Sequence, residues 1–334
     1  MKKLKIAVIY GGVSGEHEVS LKSAAAVMAG LDKKRYDVLP VKIGKNGRAQ
    51  KSRDVLACDV AFPLIHGTGG EDGSLQGVLE LGNIPYVGSG VLGSAIGMDK
   101  VIQKQILERA GFPIARYEYF LATDWQHDAQ SIVARIEKRI GYPCFVKPAN
   151  LGSSVGISKA HHQKELRRGI IDALRYDRKI VVEKGVPEAR EIECAMLGND
   201  EPRASVLGEI VPSNEFYDYA AKYIDGASRE IIPAQLSKTV ATKIRTMATR
   251  AFVTLNASGF SRIDFFVRRD TGDIYFNEIN TIPGFTTYSM FPKLWAASGV
   301  PFTTLLDELI RLALERAAEK RILIRTFDLP KKKK

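Results

Sequence analysis

Cysteine is scarce in this 334-residue chain, which has three, at Cys58, Cys144 and Cys194. Their odd number and wide spacing indicate neither a disulfide framework nor a paired zinc site. Long apolar runs are also missing, since no uninterrupted stretch reaches the length of a bilayer span. The short apolar segment near the N-terminus leads into Gly11 and Gly12 and a charged loop, which favours a first strand over a signal peptide. These features predict a protein of the reducing cytoplasm with no membrane partner.

Positive charge is in excess: the net charge is +11, of which the terminal lysine run at 331–334 supplies four. A basic balance can indicate nucleic-acid binding. The sequence has neither zinc-finger spacing nor an arginine-rich helix, so we expect an anionic nucleotide and no nucleic acid. The 45% hydrophobic and 26% charged residues are typical of a globular enzyme. The length predicts two or three domains.

The N-terminal segment has the pattern of an α/β domain. A strand at 4–10, a glycine-rich turn and an alanine-rich helix that ends near 30 come first, and strands are predicted at 36–43, 60–65 and 84–90. Glu16 at the tip of the first turn is a candidate contact for a substrate ammonium group, and helix capping is the alternative. His66 follows the third strand, at the sheet edge where such domains bind ligands. A structural histidine remains the other interpretation.

The middle of the chain has features that suit phosphate binding. A helix is predicted at 98–112, with Lys100 near its start, and Lys147 lies midway along a later strand, where a buried lysine would need an anion. The loop LGSSVG at 151–156 can fold backbone N–H groups over phosphates. It lacks the P-loop spacing, and a flexible hairpin loop is the alternative. The long tyrosine-containing segment SNEFYDYAAKY predicts either a lid or a surface loop.

The segment 261–284 predicts a β-hairpin with one polar face. Alternation along each strand places Arg262 and Asp264 on one side, and Glu278 and Asn280 on the same side of the return strand, with Tyr275 and Ile279 opposite. Two carboxylates and an amide would suit a hard cation such as Mg²⁺. An ordinary solvated strand pair shows the same alternation.

Seven motifs occur in an order that identifies a family. They are GGVSGEHEVSLKSA, HGTGGEDGSLQG, MDK, KPANLGSSVG, EFYDYAAKY, SRIDF and NEINTIPGFT with the following SM. With them the chain resembles the D-alanine–D-alanine ligases of the ATP-grasp superfamily over nearly its whole length. The resemblance implies an α/β fold, with a Rossmann-like parallel-sheet domain at 1–97 and two α+β ATP-grasp domains at 98–186 and 187–330. The lysine tail at 331–334 follows them.

The same resemblance implies a role for each matched residue. Six are expected to act in catalysis or around the first D-alanine: Glu16, His66, Ser153, Tyr223, Arg262 and Gly284. Eight are expected to contact ATP: Lys100, Lys147, Ser154, Glu183, Lys184, Val186, Glu191 and Lys222. Ser289 and Met290 are expected to take the carboxylate of the second substrate. Asp264, Glu278 and Asn280 are expected to hold two Mg²⁺ or Mn²⁺ ions.

The resemblance also implies the reaction and the assembly. ATP would activate one D-alanine as an acyl phosphate, and a second D-alanine would attack it to give the dipeptide for peptidoglycan synthesis. D-lactate or D-serine as second substrate is an alternative, and a non-catalytic nucleotide-binding protein is another. A cytoplasmic homodimer joined through the N-terminal domain is the implied assembly.

Overall fold

The computed structural model describes residues 2–50, 55–212, 228–286 and 288–324. Twelve strands lie in these ranges: β1 Leu4–Gly11, β2 Tyr36–Ile43, β3 Val60–Pro63, β4 Tyr117–Leu121, β5 Cys144–Pro148, β6 Ser158–Ala160, β7 Lys179–Lys184, β8 Ala189–Gly198, β9 Arg203–Val211, β10 Arg229–Ile231, β11 Gly259–Arg268 and β12 Ile274–Asn280. Nine helices lie in the same ranges: α1 His17–Gly30, α2 Ser74–Leu81, α3 Val91–Met98, α4 Lys100–Arg109, α5 Ala122–Arg139, α6 Gln163–Ala173, α7 Lys238–Thr254, α8 Met290–Ala297 and α9 Phe302–Arg321. Within the part of the chain that the structure describes, none of the helices combines the length and apolar character of a membrane span.

The N-terminal sheet is parallel, with strand order β2-β1-β3. Helices cover it, so the middle of β1 is an almost continuous apolar run with no exposed face. The predicted fourth strand at 84–90 is wrong among the described residues, because Tyr86 makes only an isolated parallel bridge to Ala61. Pro85 has no N–H to donate, which limits the pairing on that side.

Two antiparallel sheets follow, with orders β4-β7-β5-β6 and β10-β9-β8-β11-β12. The predicted fold class is therefore confirmed: a parallel α/β unit precedes two α+β units. The first and last sheets share a core, in which Ile6 and Phe62 lie with Leu197, Phe260 and the C-terminal helix α9. The sheet β4-β7-β5-β6 packs against α5 and α6 in a core of its own. The domain boundaries at 97/98 and 186/187 stay predictions.

The helix predicted at 98–112 is α4, which runs from Lys100 to Arg109, and α3 ends just before it at Met98. The Asp99 side chain accepts hydrogen bonds from the backbone N–H groups of Val101 and Ile102, at 3.0 and 3.1 Å. An aspartate that caps in this way starts a helix rather than continuing one. Lys100 is consequently the first residue of α4 and lies at its positive end.

The hairpin β11–β12 pairs Arg262 with Asn280 and Asp264 with Glu278, as the alternation predicts. A bulge then shifts the register, so that Phe265 pairs with Phe276 and Asn277 is the extra residue. Because of this bulge Ile274 and Phe276 join Ile279 in the apolar core, and the predicted placement of Tyr275 beside Ile279 is wrong.

Candidate active site

The polar face of the hairpin carries one guanidinium between carboxylates. Arg262 donates to both oxygens of Asp264, at 2.8 and 2.7 Å, and lies 3.1 Å from Glu193 of the neighbouring strand β8. Asn280 donates from its amide to Asp264 at 3.0 Å. Burial alone would lower the pKa of Arg262, but the Asp264 and Glu193 carboxylates outweigh it and raise the pKa well above its usual value.

The oxygen atoms of Asp264, Glu278 and Asn280 suit a divalent cation whose coordination is completed by other ligands. Among the described residues no group of three or more His, Cys, Asp or Glu side chains is arranged to hold a metal by itself. Asp264 and Glu278 face each other across the hairpin, and Asn280 adds an amide. Mg²⁺ is commonly bound through one or two carboxylates together with waters and substrate phosphates, so these residues match its requirements.

A buried ion cluster lies beside the hairpin. Glu183 of β7 is 2.9 Å from the ammonium group of Lys147 and 3.2 Å from that of Lys104, and all three side chains are almost completely buried. Burial would raise the pKa of Glu183, but the two lysines lower it to about 2. Burial would likewise lower the pKa of Lys147, but Glu183 and Glu278 raise it. Lys147 is therefore held as a cation in a site of low polarity.

Lys100 joins the hairpin to the glycine-rich loop. Its ammonium group donates to the carbonyl oxygen of Leu151 at 2.7 Å and lies 3.4 Å from a carboxylate oxygen of Glu278. A fixed positive charge thus stands between the predicted phosphate loop and a predicted metal ligand. The structure brings Lys100, Lys147 and Glu278 together, and their roles stay predictions.

The loop that contains Ser153 and Ser154 has an unusual backbone. Both serines have positive φ angles, 52° and 58°, which non-glycine residues rarely adopt and which concentrate at functional sites. The Ser153 hydroxyl donates to a carboxylate oxygen of Glu16 from the N-terminal unit. Gly152 leaves room for this contact, because a Cβ there would lie 2.7 Å from Glu16 Oε2. Glu16 and Ser153 therefore meet as the resemblance implies.

His66 lies in a closed hydrogen-bond network rather than in an open cleft. Its Nδ1 is 2.9 Å from the carbonyl oxygen of Ile282, which can only accept, so Nδ1 carries the proton. Nε2 then accepts from the Ser23 hydroxyl at 3.0 Å, and the same hydroxyl accepts the backbone N–H of Phe285 at 3.2 Å. Burial lowers the pKa of His66, so the ring is neutral. His66 thereby orients the segment that contains Gly284.

Glu71 also fixes the segment that contains Ile282 and Gly284. It was not among the predicted site residues. Its two carboxylate oxygens accept the backbone N–H groups of Gly67 and Ile282, each at 2.8 Å. Burial, with the nearby charge of Glu16, raises the pKa of Glu71 to about 8. Its position inside the glycine-rich motif was a signal that it could be buried, but its partner lies 211 residues away.

The second-substrate residues lie where the chain enters α8. Gly284 allows a close approach, since a Cβ there would meet the Ser289 hydroxyl at 2.8 Å. Ser289 is the N-cap residue of α8 without a side-chain cap bond, and its hydroxyl pairs with Thr286. The side chain of Met290 is buried in the core, so only its backbone N–H can face a ligand. An uncapped helix N-terminus favours a carboxylate.

The described residues predicted to contact adenosine do not share one environment. Val186 lies half-buried in the connection between β7 and β8, and the negative charge of Glu191 acts on Lys147. The ammonium group of Lys184 donates to the carbonyl oxygen of Tyr142 at 2.8 Å, which occupies it in this structure. Lys222 and Tyr223 lie outside the described residues.

Comparison with known proteins assigns the chain to a family. A family model described as D-ala D-ala ligase C-terminus matches residues 106–311, and one described as D-ala D-ala ligase N-terminus matches residues 5–56 and 48–89. The chain is 48% identical to the D-alanine–D-alanine ligase of Natranaerobius thermophilus, across 96% of this chain and 97% of that protein. It is 46% identical to the ligase of the same name from Geobacillus kaustophilus, across 99% and 100% of the two chains.

Solved structures show the same likeness. The D-alanine-D-alanine ligase from Coxiella burnetii superposes with a TM-score of 0.85 at 36% identity, covering 96% of this chain and 97% of that one. The VanG D-Ala:D-Ser ligase from Enterococcus faecalis superposes with a TM-score of 0.83 at 34% identity, covering 93% and 100%. With family models that span both parts of the chain and relatives that match it end to end, this chain belongs to the D-alanine–D-alanine ligase family.

Proposed function

We propose that this enzyme joins two D-alanine molecules at the expense of ATP and releases D-alanyl-D-alanine, ADP and phosphate. One observation carries the proposal: Lys100 contacts both the glycine-rich loop, at Leu151, and the hairpin, at Glu278. One buried cation therefore joins the loop predicted to bind phosphate to the hairpin predicted to bind metal, which supports the proposal. Membership of the family indicates which substrates are used, and the product serves peptidoglycan synthesis.

In the first step the carboxylate of one D-alanine attacks the γ-phosphorus of ATP, and ADP leaves. Lys100 and Lys147 would contact the nucleotide phosphates, and Ser154 would cover the γ-phosphate. Phosphoryl transfer depends mainly on positioning and charge neutralisation, which buried lysines supply. Bound Mg²⁺, held by Asp264, Glu278 and Asn280, would neutralise part of the same phosphate charge.

In the second step the deprotonated amine of the other D-alanine attacks the acyl carbon, and phosphate leaves. Glu16 and Ser153 would hold the ammonium group of the first D-alanine, together with Tyr223. The uncapped start of α8, at Ser289 and Met290, would bind the carboxylate of the second. Arg262 and backbone N–H groups near Gly284 would stabilise the oxyanion, as preorganised donors do in acyl transfer.

Phosphate release from ATP tests the reaction, measured with D-alanine, D-lactate or D-serine as second substrate and with L-alanine as control. We expect release that needs D-alanine, with the dipeptide identified by mass. Release that rises with D-lactate or D-serine in the presence of D-alanine, together with a mixed product, would favour the alternative substrates. No release under any condition would favour a non-catalytic nucleotide-binding protein.

The assembly and location form a further part of the proposal. A homodimer joined through the N-terminal domain is supported by four exposed apolar side chains on α2 and α3, namely Val78, Leu81, Val91 and Leu92. Light scattering of the chain and of Leu81→Glu tests it, since a charge in the interface should yield monomers. We place the enzyme in the cytoplasm, where ATP is supplied.

A further inference from the structure

One face of α4 contacts Glu278 and both peptide groups that flank it. Lys100, Gln103 and Lys104 are spaced three and four residues apart, so they lie on the same side of the helix. The Gln103 Oε1 atom accepts the backbone N–H of Ile279 at 3.1 Å, and the Lys104 ammonium group donates to the carbonyl oxygen of Asn277 at 3.1 Å. The two atoms belong to the peptide groups immediately after and before Glu278.

We infer that Gln103 and Lys104 are positioning residues that fix Glu278 for metal binding, an inference that rests on the proposed function only in treating Glu278 as a metal ligand. Such support matters because Glu278 directly follows the bulged residue Asn277 on β12, the last strand of the order given for its sheet. On one side Glu278 and Ile279 pair with Asp264 and Ile263 of β11. On the other side the two contacts from α4 hold the backbone.

Both positioning side chains are themselves fixed. Each is 1% exposed. The Gln103 amide donates to the carbonyl oxygen of Gly97 at 3.2 Å, which sets the orientation of its oxygen towards Ile279. Lys104 also pairs with Glu183, which in turn pairs with Lys147. The same helix face therefore links the backbone of the metal ligand to the buried cation that faces the phosphates.

Partners outside the coordination sphere commonly change metal affinity by about 10- to 100-fold when they are removed, because they orient the ligand. Gln103→Leu removes the acceptor for Ile279 without changing any charge, so it is the cleanest variant. Gln103→Asn is a milder form that withdraws the amide oxygen and keeps the site polar. Lys104→Met removes the other contact, together with a positive charge.

The direction in which Lys104→Met changes metal affinity distinguishes a loss of positioning from a loss of charge. Loss of a nearby positive charge, by itself, would strengthen the binding of a divalent cation. Loss of positioning would weaken it. When the ATP analogue is saturating, weaker metal binding by Lys104→Met therefore cannot come from the lost charge alone.

The experiment measures Mn²⁺ affinity of the full chain with a non-hydrolysable ATP analogue, from the electron paramagnetic resonance signal of free Mn²⁺. We expect Gln103→Leu to weaken Mn²⁺ binding about tenfold or more, with Gln103→Asn and Lys104→Met changing it in the same direction. Leu107→Ala is the matched control: it lies on the same helix, is fully buried and touches apolar neighbours. It should lower the melting temperature and leave Mn²⁺ affinity unchanged.

If folded Gln103→Leu binds Mn²⁺ with an affinity within about twofold of the parent, the inference is wrong. Loss of a supporting contact should change that affinity by about tenfold or more. If that variant does not fold, Gln103→Asn and Lys104→Met are judged by the same limit. Phosphate release by the unaltered chain tests the proposed function separately. An unaltered chain that binds Mn²⁺ with nucleotide but ligates nothing refutes that function and leaves the positioning of Glu278 measurable.

Discussion

Replacing Arg262 by alanine tests whether the hairpin takes part in the chemistry or only binds nucleotide. The guanidinium pairs with Asp264 through two hydrogen bonds and with Glu193 at 3.1 Å. The two lysines proposed to contact phosphate, Lys100 and Lys147, pair instead with Glu278 and Glu183. The substitution should therefore remove a donor near the reacting carboxylate while it leaves Lys100 and Lys147 in place.

Arg262→Ala should lower both kcat and folding stability. Loss of one preorganised oxyanion donor lowers kcat by about 10²- to 10³-fold, or about 2.7–4 kcal/mol in the barrier. The substitution also breaks the pair between Arg262 and Asp264, and breaking a buried pair costs about 3–5 kcal/mol of folding stability. A divalent cation would then compensate the carboxylates, so Mg²⁺ should raise the melting temperature of the variant more than that of the parent.

The assay is coupled ADP release at saturating D-alanine, with ATP varied, together with thermal unfolding with and without Mg²⁺. KM for ATP should change by no more than about threefold, because the lost contact acts mainly in the transition state. Arg268→Ala is the matched control: Arg268 lies on the same strand and pairs with Asp270 in the exposed turn. Turnover by Arg262→Ala close to that of Arg268→Ala would refute a chemical role for Arg262.

Three other changes have expected outcomes. Glu183→Gln removes the carboxylate that pairs with both Lys104 and Lys147, so thermal unfolding should show a loss of about 3–5 kcal/mol, part of which Lys104→Met restores. Glu71 has its pKa raised from 4.5 to about 8, so the folded state keeps a proton that the unfolded state has lost. Stability should fall as pH rises between these values, and Glu71→Gln should abolish that slope in denaturant titrations. Tyr223→Phe should shift competition between D-alanine and D-lactate towards D-lactate, since the resemblance implies that depsipeptide-forming ligases lack this tyrosine.

The polar face of the hairpin could be predicted from the sequence because strand alternation is a local property. Arg262 and Asp264 are two residues apart, as are Glu278 and Asn280, and any regular strand puts such pairs on one side. The bulge at Asn277 could not be predicted, because it depends on contacts from a helix more than 170 residues away. The error at Tyr275 follows directly from that bulge.

Other differences also come from contacts between distant parts of the chain. The predicted fourth strand has suitable residues, but whether a segment joins a sheet depends on the ladder available beside it. The contacts of His66 with Ser23 and Ile282 span 43 and 216 residues. A glycine-rich loop after a strand indicated that a ligand could bind there, but not that its histidine would bond to Ser23 and to the backbone of Ile282.

In the described site each of three cations lies next to a carboxylate, and binding of the proposed nucleotide would compete with these pairs. Lys100 faces Glu278, Lys147 faces Glu183 and Arg262 faces Asp264. A phosphate group that draws Lys100 towards itself removes the cation next to Glu278 and so makes that carboxylate a better ligand for a metal. The reverse holds as well, because a metal on Glu278 releases Lys100 for phosphate. Since such coupling between two binding events is reciprocal, the arrangement favours joint entry of nucleotide and metal over either alone.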